Sequence, residues 1–341
     1  MKQLIRLFVS ILPLSVLGQM QTTMPFMQRL HQSSYYNPAI IPSYSSSFNV
    51  PAFPGIGLDI SLQGFNARTL LDHIDADGLV DLPAVHNQIK GNKIEINTDL
   101  SLELFHVRFR SKNWYYGISL NHRTIASVAI AKDLLGFAIN GNDYFAGKTA
   151  DFSTTRVNAM AFSELGFSMA RNYKRWNFGG RAKLLSGNGA ANTSNSKITF
   201  YTPERTTDEI VVKLNGSLHT AGIGIFTDSI NKVAVEKSEK ETEVKDLTSL
   251  KNLGGAIDLG FTYDVSSRFT IGASVTDLGY IAWKQKTYNY NQKDVEVRIG
   301  GINDYNALGD DSLLTRYGDS IADLFDGNIT RDGFTTMLPM R

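Results

Sequence analysis

The stretch Asp72-His-Ile-Asp-Ala-Asp-Gly78 gathers the oxygen donors that a calcium ion takes. Setting Asp75, Asp77 and Gly78 at the third, fifth and sixth places of a calcium loop puts His73 at the first and Ala84 at the twelfth. An acid and a bidentate Glu belong there, so the stretch reads as an acidic loop after a short helix over 70–74. The histidines, His31, His73, His86, His106, His122 and His219, show neither His-x-x-x-His nor Glu-adjacent zinc spacing, and only the fold could bring two together. They read as isolated strand or loop residues. Ser186 and Ser274 stand near glycines but lack the Gly-x-Ser-x-Gly arrangement of a nucleophile elbow. Gly187-Asn-Gly189 and Gly254-Gly255 lead neither into Gly-Lys-Ser/Thr nor into a helix, so they read as turn and strand glycines. No catalytic residue, metal or cofactor is expected, and no enzyme is inferred.

The elements that would position these residues are strands. In 255–264, Ile257, Leu259, Phe261 and Tyr263 alternate with Asp258, Gly260, Thr262 and Asp264, a period of two with one apolar and one polar face. After a turn at 265–267, residues 268–283 form a longer strand ending in Tyr280 and Trp283, read together as membrane-interface anchors. The same reading predicts strands over 55–66, 93–110, 114–125, 155–171, 175–186, 197–202 and 209–220. A phase shift is expected near Asn97 and Asp99, and Ser163 and Glu164 interrupt the apolar face of 155–171. Residues 126–154 and 187–196 read as loops, the first with a helical portion over 130–136. Short turns near Lys112, Tyr173, Glu204 and Ser266 then fall on one side and long loops on the other. That is the layout of an all-β, antiparallel up-and-down transmembrane β-barrel, with the short turns periplasmic. A β-sandwich would also repeat hairpins but seldom needs such long alternate loops.

Targeting and composition agree. Lys2 and Arg6 precede an apolar run broken by Pro13, and Val16 and Gly18 give the small-residue cleavage pattern of a signal peptide over 1–18. With no cysteine, the exported chain gains nothing from disulfides and has no lipoprotein anchor point. A formal net charge of +1 gives no field for nucleic acid. Mean hydropathy of -0.16 is compatible with a barrel, whose strands are apolar only at alternate positions.

Three elements carry a resemblance: Thr22-Thr-Met-Pro-Phe-Met27, Gln32-Ser-Ser-Tyr-Tyr-Asn-Pro-Ala39, and the hairpin ending Asp277-Leu-Gly-Tyr-Ile-Ala-Trp283. Through them the chain resembles an uncharacterised family of Bacteroidota outer-membrane β-barrels, a domain of unknown function. That family is distantly similar to the PorV-like and PorP/SprF-like barrels of type IX secretion and to FadL-type channels. The resemblance implies a barrel of about fourteen strands with an N-terminal segment before or inside its lumen. Family members run on through further strands to a terminal aromatic, whereas this chain ends at Arg341, so truncation is expected.

These readings divide the chain into a signal peptide over 1–18, an N-terminal plug or cap over 19–54, and a barrel domain over 55–341 lacking its final strands. Tyr35, Tyr36, Asn37, Pro38 and Ala39 are the candidate lumen plug; a FadL-like reading would have them gate a hydrophobic ligand. Residues 311–326 space their apolar side chains as an amphipathic helix, packing on the barrel mouth or docking a partner. The expectation is a non-enzymatic outer-membrane barrel serving transport or secretion, with outer-membrane lipid and envelope or secretion-system proteins as partners. A structural scaffold and a soluble periplasmic β-protein remain the alternatives.

Overall fold

The computed structural model describes residues 30–51, 54–66, 81–204, 209–222, 225–228, 232–235, 252–300 and 329–341, with Met24, Met27, Arg68 and 72–74 besides. The signal segment, the acidic residues 75–78 and the helix expected over 311–326 lie outside the described residues.

The first strands are β1 (Ser46–Asn49), β2 (Gly55–Gln63), β3 (Lys93–Ser111), β4 (Trp114–Ala131), β5 (Thr149–Asp151) and β6 (Arg156–Tyr173). Then come β7 (Trp176–Tyr201), β8 (Glu209–Ala221), β9 (Ile225–Asp228), β10 (Lys232–Val235), β11 (Asn252–Ser266) and β12 (Phe269–Trp283). The last are β13 (Thr287–Gly300), β14 (Ile329–Thr330) and β15 (Phe334–Met337). The helices are short: α1 (Ser33–Tyr36), α2 (Leu82–Asn87) and α3 (Lys132–Asn140). Asp81 caps α2 by accepting from the Ala84 amide, and Pro83 sits in the first turn, where a missing N–H costs nothing.

Thirteen strands form one antiparallel sheet whose main path runs β1–β3–β4–β6–β7–β11–β12–β15. β2 lies on β3 beside β1, while β8 pairs with the far half of β7 and β13 pairs with β8. The fold is all-β and antiparallel, as expected, and among the described residues the sheet does not close on itself. Its two ends nevertheless approach. Residues 334–341 run along β12, with paired backbone bonds between Thr276 and Arg341, and the Arg341 guanidinium reaches the Asp99 carboxylate on β3.

Three tight turns meet at one end: between β3 and β4, where Lys112 has φ 53°, between β6 and β7, where Lys174 has φ 58°, and between β11 and β12. The fourth expected member, the turn near Glu204, lies elsewhere. Residues 187–196 are strand and not loop, so β7 runs unbroken for 26 residues and carries the β7–β8 connection to the opposite end. The glycines and asparagines that suggested a loop are absorbed by pairing with β6 on one edge and β8 on the other.

Bulges reset the alternation at two places that matter. On β3, Leu104 is the extra residue between Glu103 and Phe105, so Glu103 before it and His106 and Arg108 after it all turn inward. The phase shift expected near Asn97 and Asp99 sits here instead, since pairing with β4 is regular from Lys93 to Glu103. On β12, Thr276 and Asp277 together face the single residue Asp258, with Asp277 at φ 62°. Both are buried, and the Asp277 amide donates to Asp258 Oδ1 at 2.8 Å.

Candidate functional site

The faces of this sheet have opposite polarity. Outward side chains include Phe109, Ile118, Phe167, Phe178, Leu184, Ile257, Leu259, Ile271 and Val275, all exposed. Inward side chains on the same strands include Glu103, Arg123, Glu164, Arg181, Lys183, Asp258 and Asp277, all buried. Glu164, which interrupts the apolar pattern of its strand, is thus one of the interior anions.

The interior charges neutralise one another across strands that are distant in sequence. Arg123 of β4 donates to both oxygens of Asp277 at 3.0 and 3.1 Å and to Asp99 at 2.9 Å. Arg181 donates to Glu164 and to Ser119, each at 2.7 Å. Lys183 lies 2.6 Å from Asp277 and 2.8 Å from Asp258. Charges this buried are tolerable only when paired, and removing one partner strands the others.

The N-terminal segment is seated against this layer. Tyr35 lies under the Arg181 guanidinium, 4.4 Å from ring centroid to Cζ, and donates its hydroxyl to Glu103. Burial pushes the Tyr35 hydroxyl far above its ordinary range, so it stays a donor. The Tyr36 carbonyl accepts from Ser274 at 2.7 Å. Asn37 donates to the carbonyls of Phe261 and Ala273 at 3.3 and 3.4 Å, while its own Oδ1 accepts from the Ala39 amide at 2.9 Å. Ala39 is fully buried. Room for this turn comes from missing side chains: a Cβ at Gly179 would run into the Pro38 carbonyl, and one at Gly260 into Asn37. Tyr35 to Ala39 thus all lie on the concave side of the sheet, in a seat built by β7, β11 and β12.

Beside this seat, the fold joins two of the histidines whose sequence spacing kept them apart. His31 Nε2 is 2.6 Å from Glu103, His106 Nδ1 is 2.8 Å from the other oxygen of the same carboxylate, and the imidazoles stack with centroids 3.5 Å apart. Burial pulls the His31 pKa below its ordinary value, against the opposing pull of Glu103. A sequence reading misses this cluster because His31 is 72 residues from Glu103 and because an i, i+3 pair on a regular strand faces opposite ways.

Tyr280 and Trp283 do not act as a pair. Tyr280 is 51% exposed on the outer face, whereas Trp283 is fully buried, its Nε1 donating to Thr336 at 2.8 Å. The reading of Trp283 as an interface anchor is therefore corrected. Three residues is an odd separation, so on one strand the two must face opposite sides. Trp283 instead joins an apolar interior layer with Phe162, Leu185, Ala256, Ile281 and Leu338. Aromatics not foreseen as a group gather at the tight-turn end, where the exposed Trp176 packs against Phe178 and Tyr263 at 5.7 and 4.5 Å and Arg171 lies over the half-buried Trp114 at 4.9 Å.

Fold and site define an open, barrel-like antiparallel sheet with an apolar outside, a charged inside and its own N-terminal segment in the interior. The chain belongs to a family of unknown function, DUF5723, whose model matches residues 38–341, starting at Pro38 of the seated turn. Comparison with curated proteins and with solved structures finds no match. Two of the sequence stretches within the elements that carry the resemblance, Asn37-Pro38-Ala39 and Asp277-Leu278-Gly279, bring buried residues to the same interior. The first occupies the glycine-lined seat. The second supplies the bulged carboxylate and a glycine whose Cβ would strike Gly255 and Ala256.

Proposed function

We propose that this chain is a non-enzymatic outer-membrane β-barrel protein, serving transport or secretion in the cell envelope, whose interior is held shut by its N-terminal segment. The observation that carries the reading is the opposite polarity of the two faces. An apolar surface running over many adjacent strands is an aggregation liability in water, whereas lipid covers it at no cost. Aromatics at the tight-turn end suit a membrane–water boundary, with those turns on the periplasmic side. Outer-membrane lipid is then the first partner. On this reading Tyr35 to Ala39 form the plug, and solute passage or engagement of a secretion partner requires the segment to leave its glycine seat. The resemblance read from the sequence, to a family distantly similar to PorV-like, PorP/SprF-like and FadL-type barrels, is in keeping with this proposal.

A second reading, a scaffold that never opens, is favoured by the cross-strand pairing of Arg123, Arg181 and Lys183, which ties the interior together. Reconstitution in liposomes separates the two. The gated reading expects no conductance from the unaltered protein and measurable conductance from Gly179→Val, whose side chain evicts Pro38. Silence from both, with envelope partners recovered in a pull-down, supports the scaffold. Release from envelopes by salt without detergent would overturn the membrane reading and leave a soluble periplasmic protein.

A further inference from the structure

We propose that His31, Glu103 and His106 form a divalent transition-metal site that fastens the N-terminal segment to β3. The site requires the seating of that segment and not its role in a membrane.

All three residues are buried, and each offers a ligand atom within 4.8 Å of the other two. Two imidazoles and a carboxylate are the ligand set of open zinc sites, where bonds of about 2.0–2.2 Å leave a fourth position free. Tyr35 donates its hydroxyl to the same carboxylate.

The cluster is also built in a way that simple packing does not call for. The Leu104 bulge brings Glu103 and His106 onto one face, and bulges recur where a side chain must be re-aimed. Nε2 of His106 is buried without a hydrogen-bond partner, so the ring is held only through Nδ1, the nitrogen that faces the carboxylate and would be the ligand atom.

In the apo arrangement the carboxylate takes the place of the ion. The nitrogen-to-oxygen separations of 2.6 and 2.8 Å are hydrogen bonds, whereas ligands around a tetrahedral zinc ion sit roughly 3.3 Å apart. Binding therefore requires the groups to spread by about half an ångström and the stacked rings to swing apart. That is side-chain motion, and His31, on the short segment before α1, is the one ligand of the three that is not carried by β3. Arg108, buried nearby and bonded to Ser34 at 2.6 Å, opposes a cation, so the expected affinity is micromolar and not the far tighter binding of a structural zinc site. Because one ligand comes from the segment and two from the wall, metal and seating are linked: whatever binds only the docked state stabilises it.

The test is zinc titration of the full chain purified in detergent, followed by calorimetry and by limited proteolysis of the segment around residue 30. One zinc ion per chain is expected, with protection of the segment on loading and the intense visible absorption of four-coordinate cobalt when Co²⁺ replaces zinc. His31→Gln and His106→Gln should each weaken binding at least about tenfold, and His122→Gln should leave it unchanged. Should His106→Gln fail to fold, His31→Gln, on the segment, still decides the matter. Absence of saturable uptake, or uptake indifferent to His31→Gln, overturns the site and leaves a hydrogen-bonded cluster.

Discussion

Neighbouring residues on β11 have opposite surroundings: Leu259 is 58% exposed on the outer face, and Asp258 beside it is fully buried against Lys183 and the Asp277 amide. A water-soluble sheet of this kind would be the other way round. The contrast teaches that burial here does not mean an oily core. The interior is held by paired charges and by a segment of the chain itself, with an apolar layer around Trp283 beyond them, while the apolar side chains of the outer wall are left exposed by the rest of the chain.

The contrast can be broken from either side, and the inner one is the more costly. Asp277→Ala leaves Arg123 and Lys183 facing each other without their shared carboxylate, and should cost about 3–5 kcal/mol. Urea unfolding followed by tryptophan fluorescence reads this as a lower midpoint; a small loss would show that water reaches the interior and solvates those cations.

From the outer side, Leu259→Arg should cost about 2–4 kcal/mol in a bilayer if the residue sits near its midplane. The same substitution on a solvated surface would be nearly silent. Comparing unfolding of the variant in lipid vesicles with that of the parent measures the difference.

The seat is less costly to disturb. Gly179→Val forces Pro38 out of its place, an overpacking penalty of about 1–3 kcal/mol, and should expose the segment to protease while the sheet survives. Cleavage at the parental rate would mean that the seat can relax around the added side chain.

Smallest of all is Tyr280→Ala, on the outer face and away from the charges, for which a change of about 0.5 kcal/mol is expected. A loss as large as that of a buried aromatic, in the same unfolding assay, would make Tyr280 a principal anchor.

Much of the outer face was legible in the sequence, because period-two alternation is local. Ile257, Leu259 and Phe261 stand where alternation puts them, and the tight turns at Lys112, Lys174 and Ser266 follow from strand ends. The interior was less so. A bulge depends on the partner strand, so neither Leu104 nor the Thr276–Asp277 pair could be placed from one strand alone. The glycine and asparagine content of 187–196 suggested a loop, since the edges that pair with it lie tens of residues away. Asn37-Pro38-Ala39 could be singled out as a segment, but its seat could not: Asn37 bonds to carbonyls 224 and 236 residues further on. The parity of Tyr280 and Trp283, by contrast, was readable and separates them on its own.

The polarity of the two faces is tested most directly by the chain's lack of cysteine, which makes every introduced thiol unique. Single-cysteine variants at Ile257, Asp258, Leu259, Phe261 and Thr262, labelled with a fluorophore in vesicles, can be quenched by brominated lipid. Strong quenching at 257, 259 and 261 with little at 258 and 262 is the predicted alternation. Uniform labelling of the odd positions by a membrane-impermeant maleimide, with no lipid quenching at any of them, would contradict it.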